Sequence, residues 1–323
     1  MRSSTSHSSC DVGRSRPRVL ITEELHASHA ALGADVEVLE ESDLWSRRED
    51  LRRQIASAQG LVVRNHTRVD RELLAAAPVL RVVGRLGAGL DNVDVEALRE
   101  RRIDLIHGGG LNARAVAEYA LGAAIVLVRR MTESDRQVRA GHWLRHVGLE
   151  LRGQTLGVVG LGATGAELCR LGLALGMEVI GHDPFLAPPE LVVRASLEEL
   201  LRRSVVVSLH VPLVPATRNL IGGAQLALMP RGAILINAAR GGVVDEVALA
   251  DALRSGALGG AALDVRPEEP PSSDDPLRAL DNVLLTPHLA GLTTQSQQAI
   301  AEHVLRSIRY LLLSPAKSGE YPA

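Results

Sequence analysis

Leu156-Gly157-Val158-Val159-Gly160-Leu161-Gly162-Ala163-Thr164-Gly165 is the stretch whose reading decides the fold. The apolar run Thr155 to Val159 reads as a strand, and the small residues from Ala163 onward open a helical pattern. Gly160, Gly162 and Gly165 therefore fall in G-x-G-x-x-G spacing at a strand-to-helix turn. Gly160 makes the tight turn, Gly162 lets the backbone approach a pyrophosphate, and Gly165 allows close helix–sheet packing. The first helical turn, with Ala163 and Thr164, offers N–H groups without helical acceptors and the positive end of the helix dipole. Asp183 closes the next strand, 23 residues after Gly160, near the ~20-residue gap of a ribose-binding acid. Such an acid accepts from both ribose hydroxyls and repels a 2′-phosphate, and Pro184-Phe185 supplies no arginine in exchange. The motif favours NAD over NADP. The plainer alternative is a glycine-rich turn followed by a surface aspartate.

Working outward, the same alternation fills the chain. Upstream, runs at 18–21, 35–39, 60–63, 80–83 and 103–106 read as strands, with helical spacing at 46–57, 70–77 and 94–101. A long helix follows from Asn112 to Arg130. Downstream, strands are predicted at 178–180, 205–209, 233–236, 260–263 and 283–285, with helices at 245–254 and 293–313. Repeated strand–helix units imply parallel sheets covered on both faces. The fold class is α/β, with two doubly wound parallel-sheet domains of Rossmann-like or flavodoxin-like type.

The 323 residues suit two domains, and 46% hydrophobic with 23% charged residues is an ordinary globular balance. A net charge of −2 and 2% aromatics argue against nucleic-acid binding by phosphate neutralisation or base stacking. The longest uncharged apolar run, Tyr119 to Val128, is half the ~20 residues a membrane span needs. Residues 1–16 are rich in Ser and Arg without an apolar h-region, which excludes a secretory signal. Such a start resembles an organelle transit peptide, but without an apolar face it reads as a disordered tail. A cytoplasmic protein is expected. Cys10 and Cys169 make no disulfide framework, and Cys169 reads as a small buried apolar residue. His26 and His29 lack a third ligand, so no metal site is expected. Trp45 and Trp143 read as packing residues.

Three polar residues fall where strands or loops end: Arg240 in Asn237-Ala238-Ala239-Arg240-Gly241-Gly242, Glu269 in Arg266-Pro267-Glu268-Glu269-Pro270, and His288 in Thr286-Pro287-His288. In an open α/β sheet, ligands bind outside the carboxyl ends of the strands. Read singly, each also has a structural reading as a solvated arginine, a charged turn or a helix cap.

Taken with Gly84 to Asp94, Asn112 with Ala115-Val116-Ala117-Glu118, and His210-Val211-Pro212-Leu213, these segments resemble the D-2-hydroxyacid dehydrogenase family from about Val19 to Leu313. The likeness is to the phosphoglycerate-dehydrogenase-like branch. It implies a substrate domain at 17–111 plus 288–323, an NAD domain at 112–287, and an active-site cleft between them. It also implies a homodimer, in which Trp143-Leu144-Arg145-His146 could reach the neighbouring subunit's cleft. The implied reaction is reversible hydride transfer between NAD and C2 of a small 2-hydroxy acid. Arg240 would hold the substrate carboxylate and carbonyl, because a guanidinium fork matches that geometry. His288 would be the general acid/base, paired with Glu269, since an imidazole titrates near neutrality. Main-chain N–H groups at Gly87-Ala88-Gly89 would help hold the carboxylate. Cofactor contacts are implied for Gly160, Gly162, Ala163, Thr164, Gly165, Asp183, His210, Pro212, Thr217, Ala238 and Asp264.

Arg64, in Arg64-Asn65-His66-Thr67, would bind a second anionic group, as in 3-phosphoglycerate, sulfolactate or phosphonolactate, and the segment looks more like sulfolactate-type members. The plainer alternative for an arginine at a strand end is a salt-bridge partner. His107-Gly108-Gly109-Gly110-Leu111 departs from the family's proline-containing turn, which would loosen the hinge or reshape the wall of the site. A regulatory C-terminal domain of the kind some phosphoglycerate dehydrogenases carry, and serine-type feedback through it, are not expected. Two alternatives stay open: a formate- or phosphite-type dehydrogenase, although the formate type carries Gln where Glu269 stands, and a non-enzymatic NAD-sensing scaffold.

Overall fold

Two wholly parallel sheets organise the computed structural model, which describes residues 16–25 and 27–314. The chain divides into two compact units, Met1–Gly109 with Gln297–Ala323, and Gly110–Ser296. The tail at 1–15 and His26 lie outside the described residues.

In the first unit, β1 (Arg18–Ile21), β2 (Glu37–Glu40), β3 (Gly60–Val63), β4 (Val82–Arg85) and β5 (Asp104–His107) pair in the order β2-β1-β3-β4-β5. The strand sequences explain the two-sided burial. Leu20, Leu61, Val63 and Val83 join one apolar cluster, while Val19, Ile21, Val62 and Val82 join another. Alternate side chains thus feed opposite faces of the sheet. The second cluster is completed by Ile300, Val304 and Ile308 of the helix Thr294–Leu313. Helix starts fall where short polar side chains can cap them: Asp70 accepts from Leu73 N–H and Asp94 from Ala97 N–H.

The second unit carries β6 (Thr155–Val159), β7 (Glu178–His182), β8 (Val193–Arg194), β9 (Val206–Leu209), β10 (Ile234–Asn237), β11 (Gly260–Leu263) and β12 (Val283–Leu285). Their order is β12-β11-β10-β9-β6-β7-β8. Both orders reverse direction once, at β1/β3 in the first sheet and at β6/β9 in the second. Ligands of doubly wound sheets bind at that reversal, outside the carboxyl ends of the strands.

The division keeps residues 110, 111 and 288–296 with the second unit, where the sequence reading assigned 110, 111 and 288 onward to the first. The reason is local: N–H groups of His288, Leu289 and Ala290 all donate to Asp264, just beyond β11. The glycines at 108–110 are sterically used. A Cβ on Gly108 would meet Ile300 side-chain carbons at 2.8 Å, and Gly110 has φ +80°.

Among the described residues, no helix is long and apolar enough to cross a membrane.

Candidate active site

The glycine turn lies at the β6/β9 reversal. Gly160 has φ +92°, and a Cβ there would come within 2.5 Å of the His210 carbonyl oxygen at the end of β9. A Cβ on Gly165 would lie 1.9 Å from the Gly160 carbonyl oxygen, so neither position accepts a side chain. Gly162 is different, because a Cβ there meets nothing within 4 Å. That open space beside the first turn of the helix Ala163–Ala174, which has no side-chain cap at Gly162, fits a pyrophosphate. Asp183 accepts N–H groups of Leu161, Phe185 and Leu186 at 2.8–2.9 Å. Burial pushes its carboxyl up, and these three donors outweigh that and hold it below the usual range. It stays an anion able to accept from ribose hydroxyls. Arg194 on β8 does stand nearby, but it donates to the Asp183 carbonyl at 3.2 Å and not to the carboxylate.

His210 has its Nε2 2.9 Å from Ser208 Oγ, and burial lowers its ring to about 4, so it is neutral at physiological pH. Thr217 Oγ1 donates to the Pro212 carbonyl at 2.6 Å and accepts from Val214 N–H, closing the turn beyond β9. Ala238 belongs to the turn after β10. There the buried Asn237 accepts from Ala239 N–H at 3.1 Å and donates to the Arg240 carbonyl at 2.9 Å, bracketing the turn from both sides.

Glu269 and His288 are brought together: His288 Nδ1 lies 2.8 Å from Glu269 Oε2. An ionised carboxylate only accepts, so Nδ1 is the protonated nitrogen and Nε2 is left to exchange a proton. Glu269 Oε1 accepts Arg266 N–H at 3.0 Å. Burial raises the Glu269 carboxyl, but the His288 and Arg266 hydrogen bonds and the charge of Arg240 pull it below the ordinary range. Arg240 is thus electrostatically part of the same group.

His288 has φ +54°, a left-handed conformation that costs a non-glycine residue about 1–2 kcal/mol. Asp264 enforces it. This carboxylate is 1% exposed and accepts from Thr286 Oγ1 at 2.6 Å and from Leu289 and Ala290 N–H at 2.8 Å, while its carbonyl accepts His288 N–H. Since Thr286 spends its only hydroxyl proton on Asp264, Tyr119 must donate to Thr286 Oγ1, at 2.6 Å. Burial raises the Tyr119 phenol to about 12, which keeps that proton in place.

In the first unit, the β1/β3 reversal is spanned by Glu23. Its buried carboxylate accepts the N–H groups of Arg64, Thr67 and His66 at 2.8, 3.0 and 3.0 Å. Asn92 donates to the Arg64 and Thr67 carbonyls from the other side, and Trp45 stacks on His66 at 4.6 Å. The 64–67 loop is therefore a built feature at the position where a doubly wound sheet takes its ligand. At the next strand end, the Arg85 guanidinium lies across Gly87, where a Cβ would overlap it.

Glu23→Gln tests this clamp. One of its two terminal atoms would become a donor facing a donor, so the variant loses about 1–3 kcal/mol of stability at pH 7 by urea denaturation. Burial pushes the Glu23 carboxyl up, but the loop donors hold it below the usual range. Its stabilising effect is accordingly complete above ~4.3 and disappears as pH falls through the lowered folded value. The gap between wild type and variant should narrow in acid, and a gap independent of pH would contradict the assignment.

Several of these residues escaped the sequence reading: Glu23, Asn92, Asn237, Thr286, Tyr119 and Arg266. Asn237 and Thr286 at least stood at strand ends beside the chosen residues. One of the tryptophans is corrected. Trp45 does pack, half-exposed and stacked on His66, whereas Trp143 is 81% exposed in a stretch without regular structure and packs against nothing within the chain's core. Cys169 is buried, and burial raises its thiol to about 12.

A family model described as D-isomer specific 2-hydroxyacid dehydrogenase, NAD binding domain, matches residues 121–290. The (S)-sulfolactate dehydrogenase of Chromohalobacter salexigens is 46% identical over 302 residues, 91% of this chain and 98% of that protein. The D-3-phosphoglycerate dehydrogenase of Methanocaldococcus jannaschii is 39% identical over 303 residues, 91% of this chain and 57% of that longer protein. Among solved structures, a D-lactate dehydrogenase from Aquifex aeolicus complexed with NAD and lactic acid matches with a TM-score of 0.79 and 28% identity, over 91% of this chain and 95% of that one. With an NAD site that fits its cofactor and a carboxylate–imidazole pair beyond the same sheet, the chain belongs to the D-isomer-specific 2-hydroxyacid dehydrogenases, in the phosphoglycerate-dehydrogenase-like branch, as an NAD-dependent oxidoreductase acting on CH–OH donors.

Proposed function

We propose that the substrate is a short 2-hydroxy acid carrying a second strong anion, of the sulfolactate, 3-phosphoglycerate or phosphonolactate type. The observation that carries this reading is the clamped Arg64 loop at the β1/β3 reversal, with Arg85 on the strand beside β3. Likeness to the sulfolactate enzyme over nearly its whole length supports the sulfonate first.

The residues divide the work. Arg240 grips the substrate carboxylate and orients C2, aided by main-chain N–H groups at Gly87-Ala88-Gly89. In oxidation, His288 Nε2 takes the hydroxyl proton as C2 loses hydride; in reduction it returns that proton to the ketone oxygen. Glu269 keeps the imidazole oriented and balances its charge while the proton is held. NAD bound at Gly160–Gly165 and Asp183 would supply the hydride acceptor or donor, with further contacts from Ala163, Thr164, His210, Pro212, Thr217 and Ala238. The buried Asp264 acts on the site through the 286–290 turn it holds. A homodimer belongs to the same reading and would cover the exposed Trp143, Leu144 and Val147.

The test is NADH oxidation with sulfopyruvate, 3-phosphohydroxypyruvate, phosphonopyruvate, pyruvate and glyoxylate. A charge-assisted contact to the distal anion is worth about 10–100-fold in kcat/KM, so a dianionic acid should lead pyruvate by that margin. Arg64→Ala should remove the margin and leave pyruvate turnover in place. Preference for pyruvate or glyoxylate would overturn the substrate class. Tight NADH binding without turnover of any acid would favour the scaffold reading.

A further inference from the structure

The loops bearing Arg240 and Glu269 meet at a residue that has no part in the chemistry above, Arg266. Its side chain is only 8% exposed. It donates through Nε and Nη2 to the two carboxylate oxygens of Glu246, at 2.8 Å each, and through Nη1 to Asp275 at 2.7 Å. Asp275 is 4% exposed at its side chain and also caps Leu277 N–H at 3.0 Å. Glu246 opens the helix Glu246–Arg254. One guanidinium thus ties two separate segments to the main chain at 266.

That main chain is where the site is assembled. The Arg266 N–H donates to Glu269 Oε1, the oxygen that His288 leaves unused. A Cβ on Gly241, the residue after Arg240, would lie 1.9 Å from the Arg266 carbonyl carbon and 2.2 Å from Pro267 N. The Arg240 loop is therefore seated directly on the Arg266–Pro267 peptide. A displacement at 266 moves Glu269 by its hydrogen bond and Arg240 by contact.

Burying a cation between two carboxylates is an expensive way to hold a loop, since desolvation offsets most of the attraction. What the arrangement provides is direction: a planar fork with five donors fixes angles that an apolar side chain would leave soft. We propose that Arg266 is the positioning residue of the active site, setting the placement of Glu269, and through it His288, together with the seat of Arg240. This rests on the roles proposed for those three residues.

Arg266→Met, Arg266→Lys and the milder Asp275→Asn separate positioning from mere stability. Each is compared with His288→Ala at a temperature where circular dichroism shows the variant folded. Arg266→Met should bind NADH as wild type does but lose about 10–100-fold in kcat for keto-acid reduction, the cost of a site about 1 Å out of place. The acid limb of its pH–rate profile should move up by about 0.5–1 pH unit, because Glu269 loses the steady support of one N–H donor. Lysine keeps the charge without the fork and should recover only part of kcat. Asp275→Asn should shift the acid limb in the same direction, by less. A lowered Tm with wild-type kcat and an unmoved acid limb would make Arg266 a structural ion pair and overturn the inference. Full turnover by His288→Ala would instead remove the catalytic reading on which it rests.

Discussion

His288→Ala should lower kcat about 10²–10⁴-fold in both directions while leaving NADH affinity unchanged. The geometry gives the reason for each half of that expectation. Glu269 fixes Nδ1 as a donor, so the ring offers one nitrogen for proton exchange, and a methyl group offers none. The turn that carries the ring is held by Asp264 through the main chain at 288, 289 and 290, and those bonds survive the substitution. The left-handed backbone at 288 points the same way. Alanine is no better suited to φ +54° than histidine, so lost activity should not be accompanied by gained stability. Single-turnover reduction of a keto acid, monitored by NADH absorbance, separates the chemical step from binding. A kcat within about tenfold of wild type would mean that another group moves the proton.

How much of this was open to the sequence depended on the range of the interaction. The glycine turn and Asp183 were readable because each glycine answers a local steric demand and the acid follows at the end of the next strand. Apolar runs identified the central strands, such as Gly60–Val63 and Ile234–Asn237, because both of their faces are covered. Edge strands such as Glu37–Glu40 and Asp104–His107 are partly exposed and carry charged residues. The helix Leu197–Arg203 was missed although it left a signal, Ser196 three residues before Glu199, which the structure uses as an N-cap. The helix Met131–Arg139 left only a faint one, since it buries no residue and its apolar side chains are just Met131 and Val138. Supports that span the chain were illegible for a different reason. Glu23 meets the Arg64 loop from 41 residues away and Tyr119 meets Thr286 from 167, and no spacing rule connects them. Arg266 was passed over because it stands within a charged stretch, Arg266 to Glu269, whose members look interchangeable until burial distinguishes them. Trp143 was misread because composition cannot tell a core tryptophan from one that the single chain leaves uncovered.

Arg240→Ala should reduce kcat/KM about 10²–10⁴-fold, with KM for the keto acid rising and the acid limb of the pH–rate profile moving upward. Two charge-assisted hydrogen bonds to a carboxylate contribute about 1.5–3 kcal/mol each, which sets the range. The pH effect follows from a second role of the same charge. Burial raises the Glu269 carboxyl, and Arg240 is among the groups that pull it below its ordinary value. Removing that positive charge lets the folded carboxyl rise, so the ionised form that partners His288 is lost at a higher pH than in wild type. Arg240→Lys separates the two roles. An ammonium restores charge near Glu269 and should return the acid limb, but it cannot grip a carboxylate with two parallel N–H bonds, so most of the loss in kcat/KM should remain. The fold should be indifferent to both variants, because Asn237 brackets the turn through main-chain groups at 239 and 240 that no side-chain change removes. If lysine restored kcat/KM as fully as it restored the pH profile, Arg240 would be acting as a point charge on the Glu269–His288 pair, and the substrate carboxylate would have to be held elsewhere.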